Sequence, residues 1–319
     1  MGNNAGLNVL VTGGAGFIGR WVVKRLLDDG NSVWVLDNLS NGSENNIKEF
    51  SSNDNLISFE KGDIKDKKAL NNLFQNRIDV CFHLAASINV QDSIDCPRET
   101  FENDVLGTFN VLEECRLNNT KMVFMSTCMV YDKSTNDMGI DEKHPTKPAS
   151  PYAGSKIAGE NLVLSYWHAY KLPVVVVRPF NTYGPFQKSG GEGGVIAIFI
   201  KNKLKNIPLN IYGDGLQTRD FLYVKDCADF VVKTGFCEKA NGEIINAGTG
   251  QDITINELAG LIVSNDKMIK HVPHIHPQSE IAKLLCNYEK AKNLLNWEPV
   301  VSIEVGIEKT KDWISKNIY

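Results

Sequence analysis

A glycine-rich turn between an apolar strand and a helix is the feature that most constrains how this chain folds. The turn spans residues 12–19 and reads Thr-Gly-Gly-Ala-Gly-Phe-Ile-Gly, after the apolar run Leu7–Val11 and into a helical pattern from Phe17. Such glycines allow a close backbone approach to pyrophosphate at a helix N-terminus, where free N–H groups favour anions. Asp37 follows the next strand, Ser32–Leu36, near the offset at which a carboxylate binds the adenosine ribose. The pattern predicts an NAD site, because this carboxylate would repel the 2′-phosphate of NADP.

Strands and helices alternate through the first half of the chain. The further predicted strands are Leu56–Glu60, Val80–Leu84, Lys121–Met125 and Pro173–Val177. The predicted helices between them are Ala69–Gln75, Asp104–Asn118 and Ser155–Tyr170. This alternation predicts right-handed crossovers and an α/β, Rossmann-like doubly wound parallel sheet. The rhythm changes after Pro185, so we expect an NAD-binding domain over residues 1–180 and a smaller α/β substrate lobe over residues 181–319.

The composition is that of an ordinary globular protein and excludes several other classes. The 319 residues are 42% hydrophobic, and 34 basic residues against 38 acidic ones give a net charge of −4. This balance argues against a nucleic-acid partner, and the longest apolar runs fall far short of the ~18 residues of a membrane span. The first residues lack a signal-peptide pattern, and the seven cysteines form no Cys-x-x-Cys pair. We therefore expect a cytoplasmic protein with reduced thiols, no metal site and no membrane partner.

A phenol and an amine are spaced to share one face of a helix. Tyr152 and Lys156 stand four residues apart in the last helical pattern of the first half. A phenol has an ordinary pKa of about 10, and a neighbouring ammonium lowers that pKa by favouring the phenolate. Ser126 and Thr127 follow the strand Lys121–Met125, where a hydroxyl can share the proton of a substrate oxygen. These residues together predict an acid–base site.

The glycine turn, the strand-end hydroxyls and the Tyr-x-x-x-Lys spacing, in this order, resemble the extended short-chain dehydrogenase/reductase family and its nucleotide-sugar epimerase/dehydratase branch. The resemblance covers nearly the whole chain. Further matching segments are Asp63-Ile64, Leu84-Ala85-Ala86, residues 178–185 and residues 213–226. The resemblance implies an NAD-dependent enzyme that acts on a nucleotide sugar, with a UDP-hexose as the expected substrate. It also implies a catalytic triad of Thr127, Tyr152 and Lys156.

The same resemblance assigns the binding residues. The NAD contacts that it implies are Gly13, Gly16, Phe17, Ile18, Gly19, Asp37, Asn38, Asp63, Ile64, Leu84, Ala85, Ala86, Tyr152, Lys156 and Pro179. The nucleotide-sugar contacts that it implies are Ser126, Asn181, Val195, Tyr212 and Arg219. Of these, Asn181 and Arg219 are expected at the diphosphate.

The two residues after Thr127 bear on the reaction. Dehydratases of this branch have an Asp-Glu pair there, whereas this chain has Cys128 and Met129. Met129 cannot transfer a proton, and Cys128 can act only if its pKa falls from about 8.5. A 4-epimerase needs neither group, so the sequence favours NAD-dependent 4-epimerisation of UDP-glucose or UDP-N-acetylglucosamine. The alternatives are a UDP-N-acetylglucosamine 4,6- or 5,6-dehydratase that uses Cys128, a 4-keto-sugar reductase, and a non-catalytic NAD-sensing module.

Two positions in the chain depart from the sequence pattern of the branch. Asp104 stands where the family usually has asparagine. Segment 274–280 offers His274 and His276 but no arginine to the nucleotide, which leaves the identity of the nucleotide base open.

The helices Asp104–Asn118 and Ser155–Tyr170 resemble the pair that forms the dimer interface in this branch. The apolar residues expected to serve a homodimer are Phe109, Leu112, Leu162, Leu164 and Tyr166.

Overall fold

The computed structural model describes residues 6–190, 194–274, 277 and 280–317. In chain order, the strands of these residues are β1 Asn8–Thr12, β2 Ser32–Asp37, β3 Leu56–Lys61, β4 Val80–His83, β5 Lys121–Met125, β6 Val174–Pro179, β7 Asn181–Tyr183, β8 Leu209–Tyr212, β9 Thr218–Tyr223, β10 Ile244–Ala247, β11 Asp252–Thr254, β12 Ile269–Val272 and β13 Lys283–Leu284. The α-helices are α1 Phe17–Asp28, α2 Lys67–Phe74, α3 Val90–Asp95, α4 Pro97–Phe101, α5 Thr108–Asn118, α6 Pro151–Tyr170, α7 Val195–Leu204, α8 Val224–Phe236, α9 Ile255–Ile262, α10 Glu289–Leu295 and α11 Ile303–Asn317.

Seven parallel strands form the main sheet, in the order β10-β6-β5-β4-β1-β2-β3. Alternate residues of each strand face opposite layers: Val9 and Val11 pack with α1 and α8, whereas Leu10 packs with α2, α5 and α6. Both faces are thus covered, which explains why the strands are continuous apolar runs. The strand order reverses between β1 and β4, the position at which doubly wound sheets bind ligands. The predicted fold class is confirmed.

The helices that carry the predicted catalytic residues differ in detail from the sequence prediction. The helix expected over Asp104–Asn118 is the last part of a longer one, in which a π-helical segment, Glu102–Gly107, joins α4 to α5. Such segments are rare and often lie at functional sites. Helix α6 begins at Pro151 rather than Ser155, because Ser150 caps it by accepting a hydrogen bond from the Ala153 N–H at 3.2 Å. Tyr152 therefore lies in the first turn of α6.

The chain returns to the main sheet after it has entered the second lobe. Strand β10 pairs with β6, and α8 packs against α1 on the same sheet. Strand β10 and helices α8 and α10 therefore pack in the main-sheet layer, although all three lie outside the range of residues 1–180 predicted for the NAD-binding domain. The second lobe contains a four-stranded sheet of β7, β9, β11 and β13, the pair β8–β12, and helices α7, α9 and α11 around their own apolar core. Across the described ranges, no helix is both long and apolar enough to cross a bilayer.

Candidate active site

The glycine turn after β1 forms a tight cradle at the N-terminus of α1. Gly13 has a φ of +73°, and a Cβ added there would lie 2.7 Å from the backbone nitrogen of Ala85. A Cβ on Gly19 would overlap the carbonyl oxygen of Gly13. Side chains are therefore excluded at these positions. The N–H groups of Gly13, Ala15 and Gly16 are bonded within the protein, which leaves the N–H groups of the first turn of α1 for an anion.

Asp37 connects the end of β2 to this cradle. Its carboxylate accepts hydrogen bonds from the backbone N–H groups of Ala15 at 3.0 Å and Leu39 at 2.8 Å. Burial raises the pKa of Asp37, and these hydrogen bonds oppose that rise. A carboxylate offers about four lone-pair positions, so Asp37 keeps acceptor capacity towards the cleft that it lines.

A cleft of about 360 Å³ runs from the cradle to the predicted catalytic residues. The predicted cofactor residues that line it are Gly13, Gly16, Phe17, Ile18, Gly19, Asp37, Asn38, Ile64, Leu84, Ala85, Ala86, Tyr152, Lys156 and Pro179. Asp63 is not among the lining residues; its carboxylate accepts a hydrogen bond from Nδ2 of Asn38, which does line the cleft, at 3.2 Å. The sequence analysis missed several lining residues, namely Ser40, Asn41, Gly42, Gly62, Ile88, Val90, Asn103, Thr182 and Gln187.

The three predicted catalytic side chains meet at the far end of this cleft. A hydrogen bond joins the hydroxyl groups of Thr127 and Tyr152, and Thr127 also accepts from the Met129 N–H at 3.2 Å. Lys156 lies one helical turn after Tyr152, and its Nζ donates to the carbonyl oxygen of Met125 at 3.0 Å. Tyr152 is 8% exposed and Lys156 is 4% exposed, so both act in a nearly closed environment.

Burial dominates the electrostatics of Tyr152. It raises the pKa of the phenol, the Asp104 carboxylate adds to that rise, and the hydrogen bond from Thr127 opposes it. The sequence analysis expected Lys156 to lower this pKa, and the structure has the opposite direction. The physical reason is that desolvation disfavours the phenolate, while the Lys156 ammonium is bound to the Met125 carbonyl.

Ser126 has a structural partner that the sequence analysis did not foresee. It lines the cleft, but its hydroxyl donates to Glu160, whose carboxylate also forms a two-point ion pair with Arg178. Both ion-pair side chains are less than 5% exposed. The predicted substrate contact at Ser126 therefore competes with a buried hydrogen bond. The sequence contained one indication of this partner, because Glu160 stands four residues after Lys156 and therefore lies on the same face of α6.

Cys128 is a buried thiol at the wall of the cleft. Its side chain is 2% exposed, and burial raises its pKa to about 12, although the charge of Arg219 lowers that pKa. The dehydratase alternative requires the opposite direction. The thiol is thus protonated at neutral pH.

The predicted substrate residues of the second lobe divide between three places. Asn181 lines the first cleft and, with Val195, a second cavity of about 480 Å³ that shares the wall around Asn181. Tyr212 is 42% exposed. Arg219 lines a third cavity and binds Glu280 and two backbone carbonyl oxygens. The structure therefore brings Asn181 to the catalytic residues and keeps Arg219 in an ion pair.

The structure describes one of the two histidines in the segment 274–280, and it also bears on whether the chain could bind a metal ion. His274 Nε2 lies 2.5 Å from a carboxylate oxygen of Glu280, so this histidine joins the ion pair of Arg219. His276 lies outside the described residues. Within the part of the chain that the structure describes, no group of three or more His, Cys, Asp or Glu side chains is arranged to hold a metal ion.

The fold and this site define a Rossmann-type, nicotinamide-dependent enzyme whose cleft holds the predicted pair Tyr152 and Lys156. The chain belongs to the NAD-dependent epimerase/dehydratase family, whose model matches residues 9–248. This confirms the predicted family, the predicted NAD-dependent enzyme class and the predicted cofactor.

Individual relatives match over nearly the whole chain. A putative UDP-glucose 4-epimerase of Methanocaldococcus jannaschii is 36% identical over 97% of this chain and 99% of that protein. Pal from Bacillus thuringiensis is 70% identical, with a TM-score of 0.96 over 97% of this chain and 99% of that one. UDP-glucose 4-epimerase of Thermotoga maritima, solved with UDP-glucose, is 33% identical, with a TM-score of 0.91 over 98% of this chain and all of that one (100%).

Proposed function

We propose that this chain catalyses NAD-dependent 4-epimerisation of a UDP-linked hexose, of the glucose or N-acetylglucosamine type, through a transient 4-keto sugar. The observation that carries the proposal is the meeting of Thr127, Tyr152 and Lys156 in the cleft that the glycine turn opens. The two UDP-glucose 4-epimerase relatives support the choice of sugar.

The residues of the cradle fit an NAD molecule. The turn packs against its own backbone so closely that Gly13 and Gly19 have no room for side chains, so Phe17 and Ile18 at the N-terminus of α1 can line the cleft directly. The Asp37 carboxylate lines the same cleft with lone pairs to spare. We assign the pyrophosphate to the glycine turn, the adenosine ribose to Asp37 and the nicotinamide half to the neighbourhood of Lys156. When bound, NAD supplies the redox chemistry by taking up and returning the hydrogen of the sugar C4 carbon.

Tyr152 is the acid–base residue of the proposed reaction. As phenolate it takes the proton of the sugar 4-hydroxyl. After the 4-keto sugar has rotated, so that the other face of C4 is turned towards the nicotinamide position, Tyr152 returns that proton to the 4-keto oxygen. Thr127 orients the phenolic oxygen through their shared hydrogen bond. Because burial raises the pKa of Tyr152, a positive charge in the cleft is needed to favour the phenolate.

The wall of the cleft favours epimerisation over dehydration. Dehydration needs a base for the C5 proton and an acid for the 6-hydroxyl, whereas the residues after Thr127 are a protonated Cys128 and an aprotic Met129. Among the described lining residues, Asp37 is the sole carboxylate, and it binds the glycine turn. A 4-epimerase needs no such groups, because the same tyrosine serves both half-reactions.

Proton NMR of the purified protein in D2O, without added cofactor, tests the proposal. UDP-glucose and UDP-N-acetylglucosamine are incubated separately. We expect one of them to convert to its 4-epimer with no deuterium at C5, which also shows that NAD co-purifies. A vinyl or methyl signal that replaces the 6-hydroxymethyl group would overturn the assignment in favour of a dehydratase.

We infer that the protein is a homodimer that acts in the cytoplasm. Phe101, Leu106 and Phe109, on the outer side of α4, the π segment and α5, are 37–48% exposed and support an interface there. Of the other expected interface residues, Leu112 is fully buried in the main core, and the Tyr166 hydroxyl donates to Glu113 at 2.5 Å. All seven cysteines are free thiols, which supports a reducing compartment. Sedimentation of wild type and of the double variant Phe101→Asp/Phe109→Asp tests the dimer, with a monomer expected for the variant.

A further inference from the structure

A buried arginine lies between two segments of the chain that border the cleft, residues 38–50 and residues 182–188. Arg20 is the fourth residue of α1 and is 1% exposed. Burial lowers the pKa of Arg20 to about 10, so the side chain is still a cation at neutral pH. The helix dipole disfavours a cation near a helix N-terminus, and burial adds the cost of desolvation. A cation that is retained at such a position needs strong contacts.

The first set of contacts holds segment 38–50, which folds back onto the glycine turn. In this segment, Nδ2 of Asn46 donates to the carbonyl oxygen of Ala15 at 2.7 Å. Arg20 Nε donates to the carbonyl oxygen of Asn46 at 2.9 Å, and the guanidinium also forms an ion pair with Glu49. The residues of the segment that line the cleft are Asn38, Ser40, Asn41 and Gly42. Arg20 thus anchors the segment that borders the cofactor half.

The second set of contacts holds segment 182–188, which lines the cleft and the second cavity through Gln187. Phe186 has a φ of +72°, a backbone conformation that costs energy in a residue with a bulky side chain. Its ring lies 3.7 Å from the Arg20 guanidinium carbon and 4.7 Å from the ring of Trp313 on α11, measured to the ring centroids. These contacts offset the cost of the turn, because a cation over an aromatic face is attractive.

Two further contacts join the same elements. Trp21, the next residue of α1, donates from Nε1 to the carbonyl oxygen of Pro185 at 3.2 Å. At the surface, Lys188 Nζ donates to Oδ1 of Asn41 at 2.6 Å. The exposed Lys188 contact is worth less than the buried contacts of the guanidinium, because water competes for both of its partners.

We propose that Arg20 is a positioning residue that connects segment 38–50 to segment 182–188 and so fixes the cofactor side of the cleft relative to the sugar side. Arg20 is not among the described residues that line the cleft, so it acts on ligands through the two segments. A planar guanidinium can donate to a carbonyl, pair with a carboxylate and lie against a ring at the same time.

Two substitutions distinguish this role from that of a simple positive charge. Arg20→Met fills the space beside the ring but carries no charge and no donor. Arg20→Lys keeps the charge, whereas one ammonium cannot make all three contacts together. We expect the Kd for NAD, measured by calorimetry, to rise about tenfold in Arg20→Met and by at least about threefold in Arg20→Lys. Wild-type affinity in Arg20→Lys would overturn the inference, because charge alone would then suffice.

Hydrogen–deuterium exchange tests the connection itself and needs no ligand. In Arg20→Met we expect amide exchange to become faster by at least about fivefold in both segment 38–50 and segment 182–188, since both lose the same anchor. Faster exchange in one of the two segments alone, or in neither, would overturn the inference.

Lys24→Met is the matched control, because it removes a cation one turn later in α1. The Lys24 side chain is 39% exposed, and its ammonium pairs with Asp28 at 2.8 Å. NAD affinity and both exchange rates should stay within about twofold of wild type. Effects as large as those of Arg20→Met would contradict the inference, because loss of any cation from α1 would then be enough.

A kinetic measurement rests on the proposed function. At saturating NAD, the KM for the UDP-sugar should rise in Arg20→Met while kcat is kept, because the contacts of Arg20 lie at the two segments and not at Tyr152. A merely structural role would lower kcat through loss of folded enzyme and leave KM unchanged, and that result would overturn the inference. Changes in NAD affinity and exchange in a protein that converts neither sugar would support the inference and count against the proposed function alone.

Discussion

The two halves of the cleft are built in different ways. In the cofactor half, the shape comes from backbone: glycines that exclude side chains, a helix N-terminus, and Asp37 bound to N–H groups two and 22 residues away. In the catalytic and sugar half, the shape comes from side-chain pairs that are distant in sequence, such as the buried pair Arg178–Glu160 and, in the second lobe, the partly buried pair Arg219–Glu280. A local backbone shape leaves a recognisable sequence pattern, whereas a long-range pair does not.

The largest expected effect tests the chemical end of the cleft. Tyr152→Phe removes the acid–base hydroxyl and keeps the ring, so kcat should fall by at least about 10³-fold, within the range for loss of a general acid–base group. NAD should still bind, because the cofactor half is made of backbone. Tyr170→Phe, at a ring that is 57% exposed, is the control and should keep full activity. Steady-state kinetics and NAD titration check both statements; substantial turnover by Tyr152→Phe would remove the assigned role.

The next effect tests whether long-range pairs hold the sugar half. Glu160→Gln leaves the Arg178 guanidinium buried without its counter-charge, which should lower the free energy of unfolding by about 3–5 kcal/mol. The exposed pair Lys311–Glu308 is the control, since Glu308→Gln should cost about 0–1 kcal/mol. Urea denaturation gives both values. Equal stability of the two variants would mean that the buried pair does not support this half.

The same distinction explains how far the sequence could predict the structure. The parallel sheet and the cradle were predictable, because strand alternation and the glycine turn are local patterns. The return of β10 to the sheet was not, because Ile244–Ala247 carries no mark of its partner β6, about 70 residues earlier in the chain. Asn41 and Gly42 were missed for another reason. Their asparagine-rich segment has the composition of a surface loop, although it folds back onto the cradle and lines the cleft.

The predicted catalytic residues fall between these cases. Thr127, Tyr152 and Lys156 could be proposed because motif spacing places two of them on one face of α6 and the third at a strand end. Their electrostatics was not predictable, since the pKa of Tyr152 depends on burial and on Asp104, which is 48 positions earlier in the chain and reaches the site through the π segment. The sequence thus indicates which side chains lie close together, whereas their pKa values depend on how the rest of the chain packs around them.

A third prediction tests the backbone character of the cofactor half. Gly19→Ala places a methyl group against the Gly13 carbonyl and should weaken NAD binding about 10- to 100-fold, as overpacking by about 1–3 kcal/mol implies. Gly154→Ala is the control, because a Cβ there meets no atom within 4 Å. Calorimetric titration with NAD measures both. Tight NAD binding by Gly19→Ala would show that the backbone of the turn can shift to accept a methyl group, and that side chains rather than backbone bind the cofactor.

The smallest expected effect distinguishes the two reactions at the sugar end. If the enzyme epimerises at C4, the Cys128 thiol transfers no proton, and Cys128→Ala should change kcat by about threefold or less. Cys227→Ala is the control, because it removes an equally buried thiol from α8 and separates a packing defect from a chemical one. Both variants are assayed by NMR with the converted UDP-sugar. A loss of turnover in Cys128→Ala that Cys227→Ala does not share would make the thiol a reacting group in spite of a pKa of about 12, and dehydration would then explain its position beside Thr127 better than epimerisation does.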